Sequence, residues 1–247
     1  MELTKYKKVQ SISEGWNLGE TDQVKGLPQP PLELETDPHK VIIDLIPPPQ
    51  IKTGPIDLRK AIEDRRSIRA YLDEPLTLSE LSWLLWCTQG VKQITDRPAT
   101  SRTVPSAGAR HPFETYVLVN RITGLEPGVY RFLASQHKLQ VIDLDATLID
   151  ALNTANWSPQ MMRNSAVTFI WVAVRYRMTH RYGDRSFRYL HLDAGHVCQN
   201  LYLAAEAVQC GVCAVGGFID DWVNEWLKLD GEEQFVIYMA TVGKKPI

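Results

Sequence analysis

The sequence predicts an α+β fold, and three observations carry that reading. Apolar residues recur at helical spacing in some stretches and alternate at strand spacing in others. The two kinds of segment are mixed without the regular strand-helix alternation of a doubly wound sheet. The 247 residues, 44% hydrophobic and 23% charged, are also enough for a sizeable core in one large domain or two small ones.

Residues 1–56 stand apart from the rest. They hold eight of the fifteen prolines, Pro47, Pro48 and Pro49 among them. Proline removes backbone donors and disfavours helix at the residue before it. The segment reads as an extended arm lying on a surface, with a short strand at 41–43, and residues 57–247 as the domain proper. After Pro55 a helical period begins, with Asp57 as its N-cap. Thr77 and Glu80 have capping-box spacing and open a second helix, which runs through Leu81, Leu84 and Leu85 to a stop at Gly90. Residues 92–112 read as an irregular loop, and a long polar loop inside a compact domain is more often functional than not. Strand-like runs follow at 113–119, at 128–132 and 138–142 (a hairpin pair), and at 166–174. Leu190, Ala194, Val197, Leu201, Ala204 and Val208 recur at helical spacing and predict a long helix over about 188–209. Further strands are expected at 212–215 and 235–242, separated by a helix near 220–228.

A formal net charge of -2 gives no electrostatic reason to expect a nucleic-acid or membrane partner. Basic residues cluster at 175–188, but acidic and aromatic residues are mixed among them. No charged-then-apolar leader and no apolar run of membrane-spanning length is present, so the cytoplasm is the default compartment. The four cysteines are too few for a disulfide scaffold. Cys210 and Cys213 have Cys-x-x-Cys spacing but follow a helix C-terminus and enter a strand, the wrong end for a lowered thiol pKa; they read as buried and inert. His191 and His196 lie off one helix face and are no metal pair, so no metal site is expected. Neither a Gly-x-Gly-x-x-Gly turn nor a Walker sequence occurs, which argues against a nicotinamide-binding Rossmann domain.

Four segments are chemically suggestive. Arg65, Arg66, Ser67 and Arg69 place three guanidiniums and a hydroxyl at the end of a predicted helix, where planar donor forks suit phosphate oxygens. A solvated basic helix end is the alternative. Pro105, Ser106, Ala107 and Gly108 are small enough for a flat ligand to approach the backbone, and Arg110 and His111 beside them are candidates for contact with an anionic ring or a substrate. A plain loop explains them equally. Gly216 and Gly217 follow a strand and can turn amides toward a ligand, or simply make a tight turn. Lys244 and Lys245 near the C-terminus add charge to a phosphate site or are an exposed basic end.

Taken in order, these segments resemble the FMN-dependent nitroreductase family over about residues 45–247. The resemblance is closest to its SagB-type dehydrogenase branch. It is carried by Pro47-Pro48-Pro49, Ile62 to Arg69, Pro105 to Pro112, Arg188 to His196 with Asp193-Ala194-Gly195-His196 at its core, Gln199-Asn200, Gly216-Gly217-Phe218 and Gly243 to Pro246. The resemblance implies an α+β sandwich with a central, mostly antiparallel sheet flanked by helices. It also implies a homodimer with FMN at the subunit interface. Arg65, Arg66, Ser67 and Arg69 would bind the phosphate and ribityl end, and Lys244 or Lys245 would complete that site. Pro105, Ser106, Ala107 and Gly108 would lie along the isoalloxazine ring from the partner subunit. Gly216 and Gly217 would lie on its other side, with a backbone N–H near N5. Three functions are compatible with this: hydride transfer between NAD(P)H or an organic donor and a small acceptor, tailoring oxidation of a peptide or azoline-like intermediate, and flavin binding without turnover. Azoline-oxidising members resemble this chain less at one point, because Arg181-Tyr182 stands where the resemblance implies a Lys-Tyr pair. Tyr182 can still act as an acid or base, whereas Arg181 is a poor base and suits an anionic substrate better.

Overall fold

The computed structural model describes residues 21–246 except Pro98; residues 1–20 of the expected arm lie outside the described residues. Eleven strands and seven helices are found among them. The strands are β1 (Ile42–Asp44), β2 (Leu76–Thr77), β3 (Val91–Ile94), β4 (Thr100–Arg102), β5 (Phe113–Val119), β6 (Ile122–Thr123), β7 (Gly128–Leu133), β8 (Lys138–Asp143), β9 (Val167–Val174), β10 (Cys210–Val215) and β11 (Gln234–Lys244). The helices are α1 (Leu58–Asp64), α2 (Leu78–Gln89), α3 (Ala146–Thr154), α4 (Pro159–Asn164), α5 (Arg175–Tyr182), α6 (Ser186–Glu206) and α7 (Asp220–Trp226). Seven strands form one sheet in the order β1-β8-β7-β5-β9-β11-β10, and every neighbouring pair in it is antiparallel. The α+β reading and the antiparallel sheet flanked by helices are what the molecule shows.

The central strands are buried on both faces. In β9, Val167, Phe169, Trp171 and Ala173 enter one core with Leu81, Leu84 and Leu85 of α2 and Leu190, Val197 and Leu201 of α6. Ile170 and Val172 point the other way, to Leu152 of α3, Met162 of α4 and Val223 of α7. Side chains alternate across a pleated strand, so a sheet covered twice reads in sequence as a continuous apolar run.

The local start signals act as expected. Asp57 accepts from the Lys60 N–H at 3.0 Å, and Thr77 and Glu80 complete a reciprocal capping box. Other elements have no such signal. The irregular loop expected at 92–112 contains the β3–β4 hairpin. Helix α5 buries Arg177, Met178 and His180, and a helix whose buried face is mostly polar has no apolar period to detect. The basic cluster at 175–188 is partly neutralised within the fold: Arg175 pairs with Glu233 and Arg177 with Glu114. Among the described residues, no helix is long and apolar enough to cross a membrane.

The described part of the arm is stitched to its own chain. Prolines leave it with carbonyls and few donors, and side chains of the body supply what is missing. Arg177 Nε donates to the Pro31 carbonyl at 2.9 Å, Arg131 to Glu35 at 2.8 Å and Gln140 to Asp37 at 2.9 Å. His180 Nε2 bonds the Leu27 carbonyl at 3.0 Å. Glu114, only 2% exposed, accepts from Arg177 at 2.6 Å and from the Leu34 N–H at 2.9 Å. Farther on, β1 joins the sheet as its edge strand beside β8.

Glu114→Ala would leave the Arg177 charge buried without its partner. Urea melts are expected to show a loss of about 3–5 kcal/mol, with partial recovery in the Glu114→Ala, Arg177→Met double variant. A loss below about 1 kcal/mol would show that the pair does not hold the arm.

Candidate active site

Helix α1 ends at Asp64, and the next residues run along the open edge of β10. Ser67 makes a parallel bridge with Val212, the Ile68 N–H donates to the Val212 carbonyl at 2.9 Å, and the Leu72 N–H donates to the Lys244 carbonyl at 2.9 Å. Two glycines make this approach possible. Gly211 and Gly243 face each other in register on β10 and β11. A Cβ on Gly211 would stand 2.6 Å from Ile68 Cβ, and one on Gly243 would stand 2.7 Å from Tyr71 Cγ. Tyr71 locks the turn by donating to the Ile68 carbonyl at 2.7 Å.

Tyr202 of α6 holds the segment from below. Its hydroxyl lies 3.0 Å from Ser67 Oγ and accepts from the Ala214 N–H at 2.9 Å. The Arg65 guanidinium sits 5.4 Å from the centre of its ring. Arg66 donates to the Glu63 carbonyl at 2.8 Å and so serves the end of α1, as the helix-end reading expects, while Arg69 donates to the Ser67 carbonyl at 3.4 Å. These contacts are with neutral carbonyls. By contrast, Lys244 is ion-paired with Glu80 and Lys245 with Glu206. The lysines stand at the same end of β10 and β11 as the arginines, with their charge balanced by carboxylates.

Gly216 and Gly217 are exposed at the other end of β10. Gly216 lies four positions beyond Val212, about 13 Å along the strand direction. The Gly217 carbonyl accepts from the Trp157 N–H at 3.1 Å, and the Trp157 ring, 82% exposed, stands directly over Gly217.

The loop from Pro105 forms a second cluster. Ser106 Oγ donates to Asp193 Oδ2 at 2.6 Å and the Ala107 N–H to Asp193 Oδ1 at 3.2 Å. Burial raises the Asp193 pKa, and these two bonds partly offset that rise. Gly108 has φ 57°, in the left-handed region that suits glycine. A Cβ there would stand 2.5 Å from the Tyr182 hydroxyl and 2.8 Å from Arg181 Nε. Arg181 and Tyr182 therefore lie on the loop, and the Tyr182 ring packs at a tilt against Tyr189 with ring centres 4.5 Å apart. Arg110 donates to the Gly108 carbonyl at 3.0 Å and to Gln29 at 2.8 Å.

His111 departs from its expected role as a substrate contact. It is 5% exposed, and its N–H donates to Ser106 Oγ at 2.9 Å. Burial first, then the charge of Arg102, pushes its ring pKa down to about 3. It is a neutral, inward-facing residue that shapes the loop. The cysteines are buried as expected: burial raises the Cys213 thiol pKa and pushes that of Cys210 up to about 12.

Both clusters hang on α6. Asp193 and Tyr202 are nine positions apart, which is about 13 Å along the axis and half a turn around it. The Pro105 loop and the Arg65 segment therefore sit on opposite flanks of the helix. Between the flanks runs an exposed stripe of Arg188, Leu192, Gly195, His196 and Gln199. Of the three organising residues, only Asp193 carries a sequence signal, through the Asp193-Ala194-Gly195-His196 segment. Tyr202 and Trp157 have none, since their roles arise from contacts far along the chain.

Comparison with known proteins places the fold among characterised families. The family model described as the Nitroreductase family matches residues 62–244. The nitroreductase-like protein MJ1384 of Methanocaldococcus jannaschii is 38% identical over 190 residues, covering 77% of this chain and 92% of that protein. The trifolitoxin-processing protein TfxB of Rhizobium leguminosarum bv. trifolii is 38% identical over 109 residues, 42% of this chain and 29% of TfxB. A nitroreductase-like structure from Anabaena variabilis matches with TM-score 0.67 and 31% identity over 85% of this chain; the matched region is 42% of that longer chain. One from Desulfovibrio desulfuricans, solved in complex with FMN, matches with TM-score 0.55 and 20% identity over 78% of this chain and 89% of its own.

Two outcomes follow. Gly211→Ala is expected to cost about 1–3 kcal/mol in urea melts and to speed tryptic cleavage within 65–69, because Ile68 Cβ has no way to step aside. Unchanged stability and cleavage would show that the close approach at Gly211 is not needed. His111 is neutral when folded but titrates near its ordinary value when unfolded, so the unfolded chain takes up the proton first. Stability is lost as pH falls from about 6.5 toward about 3. Between pH 7 and pH 4.5 the wild type is expected to lose ~2–3 kcal/mol more than His111→Asn. Equal losses would place the ring in water.

Proposed function

The chain belongs to the nitroreductase family, and we propose that it is an FMN-dependent oxidoreductase that works as a homodimer. FMN, when bound, supplies hydride transfer through N5 between NAD(P)H or an organic donor and a small acceptor. The observation that carries this reading is the arginine segment clamped to the edge of β10 by Val212 and Tyr202. Its guanidiniums contact neutral carbonyls or the Tyr202 ring, so they retain charge for a phosphate. The residues present fit the cofactor. Arg65, Arg66, Ser67 and Arg69 would hold the phosphate and ribityl end, with Lys244 and Lys245 beside it. Gly216 and Gly217, about 13 Å along the same strand, would place backbone amides against the ring, with Trp157 at its margin.

The homodimer is supported by α6. Loop and arginine segment occupy opposite flanks of one helix, so a single ligand meets both only if a second copy supplies the loop. The exposed stripe between the flanks, with Leu192 at 53% exposure, gives that copy a surface to pack on. Pro105, Ser106, Ala107 and Gly108 of the second copy would then line the ring, bringing Tyr182 as a proton-transfer group. A tailoring oxidation of a peptide-derived intermediate is the second reading, favoured by the similarity to TfxB. Arg181 weighs against its azoline form, because a guanidinium does not give up its proton at neutral pH.

Purified protein is expected to be yellow and to be bleached by an electron donor. Arg65→Ala and Arg69→Ala should each weaken FMN retention at least about tenfold, given the strength of charge-assisted hydrogen bonds, as read by absorbance after dialysis. Wild-type protein that stays colourless after FMN is added and dialysed away would sink the reading. Bleaching by NADH or NADPH separates the first function from a tailoring dehydrogenase, which reduces its flavin with the organic substrate.

A further inference from the structure

Two cavities adjoin the Pro105–Gly108 loop and share Gln23 and Arg181. One, of about 400 Å³, is lined by Thr21, Gln23, Val24, Tyr182 and Tyr189 together with Arg181 and Arg185. The other, of about 190 Å³, is lined by Gln23, Gln29, Arg97, Gly108 and Arg110, among others. Arg97, Arg110 and Arg181 thus meet at one opening, drawn from three separate stretches of chain. Among the described residues, no carboxylate lines either cavity.

The hydrogen bonds of Arg110 and Arg181 go to neutral groups. Arg110 donates to Gln29 at 2.8 Å, and Arg181 donates to Gln23 at 3.4 Å while its guanidinium lies 5.5 Å from the Tyr182 ring centre. Both glutamines belong to the arm, which is anchored here by the Gln23 N–H bond to the His180 carbonyl at 2.8 Å. The like charges act on one another: after burial, the charge of Arg181 does most to lower the Arg110 pKa, and that of Arg97 adds to it. Repelling guanidiniums held at one opening by amide side chains are stabilised by an oxyanion, whose geometry their donor forks match. The Tyr182–Tyr189 pair and Val24 offer an apolar wall for the body of such a molecule.

We propose that Arg97, Arg110 and Arg181, with Gln23 and Gln29 of the arm, form an oxyanion-binding site, and that the substrate handled beside the loop is a small molecule carrying a carboxylate or phosphate on a flat body. This rests on the reading that the loop lines the flavin ring. It adds the substrate class and gives the N-terminal arm a part in recognition.

The test is calorimetric titration of the full-length protein with three probes of one shape: benzoate, phenyl phosphate and benzyl alcohol. At least one anion is expected to bind about tenfold or more tightly than the alcohol, with an affinity that falls as salt is raised. Whichever anion binds more tightly identifies the oxyanion. Arg110→Gln and Arg181→Gln should each abolish most of that preference while FMN content stays at the wild-type level, and Arg181→Lys should retain part of it. Equal binding of charged and neutral probes by the wild type overturns the proposal without any variant. Loss of FMN from Arg110→Gln or Arg181→Gln also overturns it, by assigning the arginines to the cofactor. If the wild type holds no FMN, the functional reading fails on its own, and the probe comparison still decides the oxyanion site.

Discussion

A central sheet buried on both faces constrains everything else in this molecule. Side chains of β5 and β9 alternate into two cores, and packed apolar layers on both sides leave no room for chemistry between them. Reactive groups are pushed to the margins: the free edge of β10, the loops at the strand ends and the surface of α6. The arginine segment, the glycine pair and the Pro105 loop all lie at such margins. The charged and amide side chains buried in the sheet, Glu114, Arg131 and Gln140, are spent on holding the arm.

The arm answers a problem of its own composition. Proline-rich extended chain carries acceptors without matching donors, and buried carbonyls need partners. Arginine, histidine and glutamine side chains of the body meet that need at Leu27, Pro31, Glu35 and Asp37. The same stitching carries Gln23 and Gln29 to the arginine-lined cavities. Anchoring of the arm and shaping of the cavity mouth are therefore one structural fact.

Helix α6 links the two clusters. Asp193 orients Ser106 and Ala107, and Tyr202 orients Ser67 and Arg65. Neither needs to touch a ligand to matter, because each fixes the rotamer and backbone of residues that would. The half-turn between them puts the two clusters on opposite flanks of one helix. The proposed homodimer rests on that placement together with the family likeness.

Much of the architecture was legible from the residues alone wherever the deciding interaction is local. Asp57 caps the helix that follows it, Thr77 and Glu80 cap each other, an alternating run marks β5, strand-like runs mark β7 and β8, and an apolar run of strand length marks β9. The Arg65 to Arg69 segment was recognisable as an anion-binding candidate from its donor chemistry and from its order among the other segments. What the tertiary structure alone decided depends on distant contacts. Ser67 meets Tyr202 across 135 positions. Helix α5 is hidden because its buried face is mostly polar and bonds the arm and Glu114. His111 looked available for a substrate and is instead buried, since burial is a property of the packed chain. The convergence of Arg97, Arg110 and Arg181 has no trace in their spacing, because electrostatic neighbourhood is set by how the loops fold back on one another.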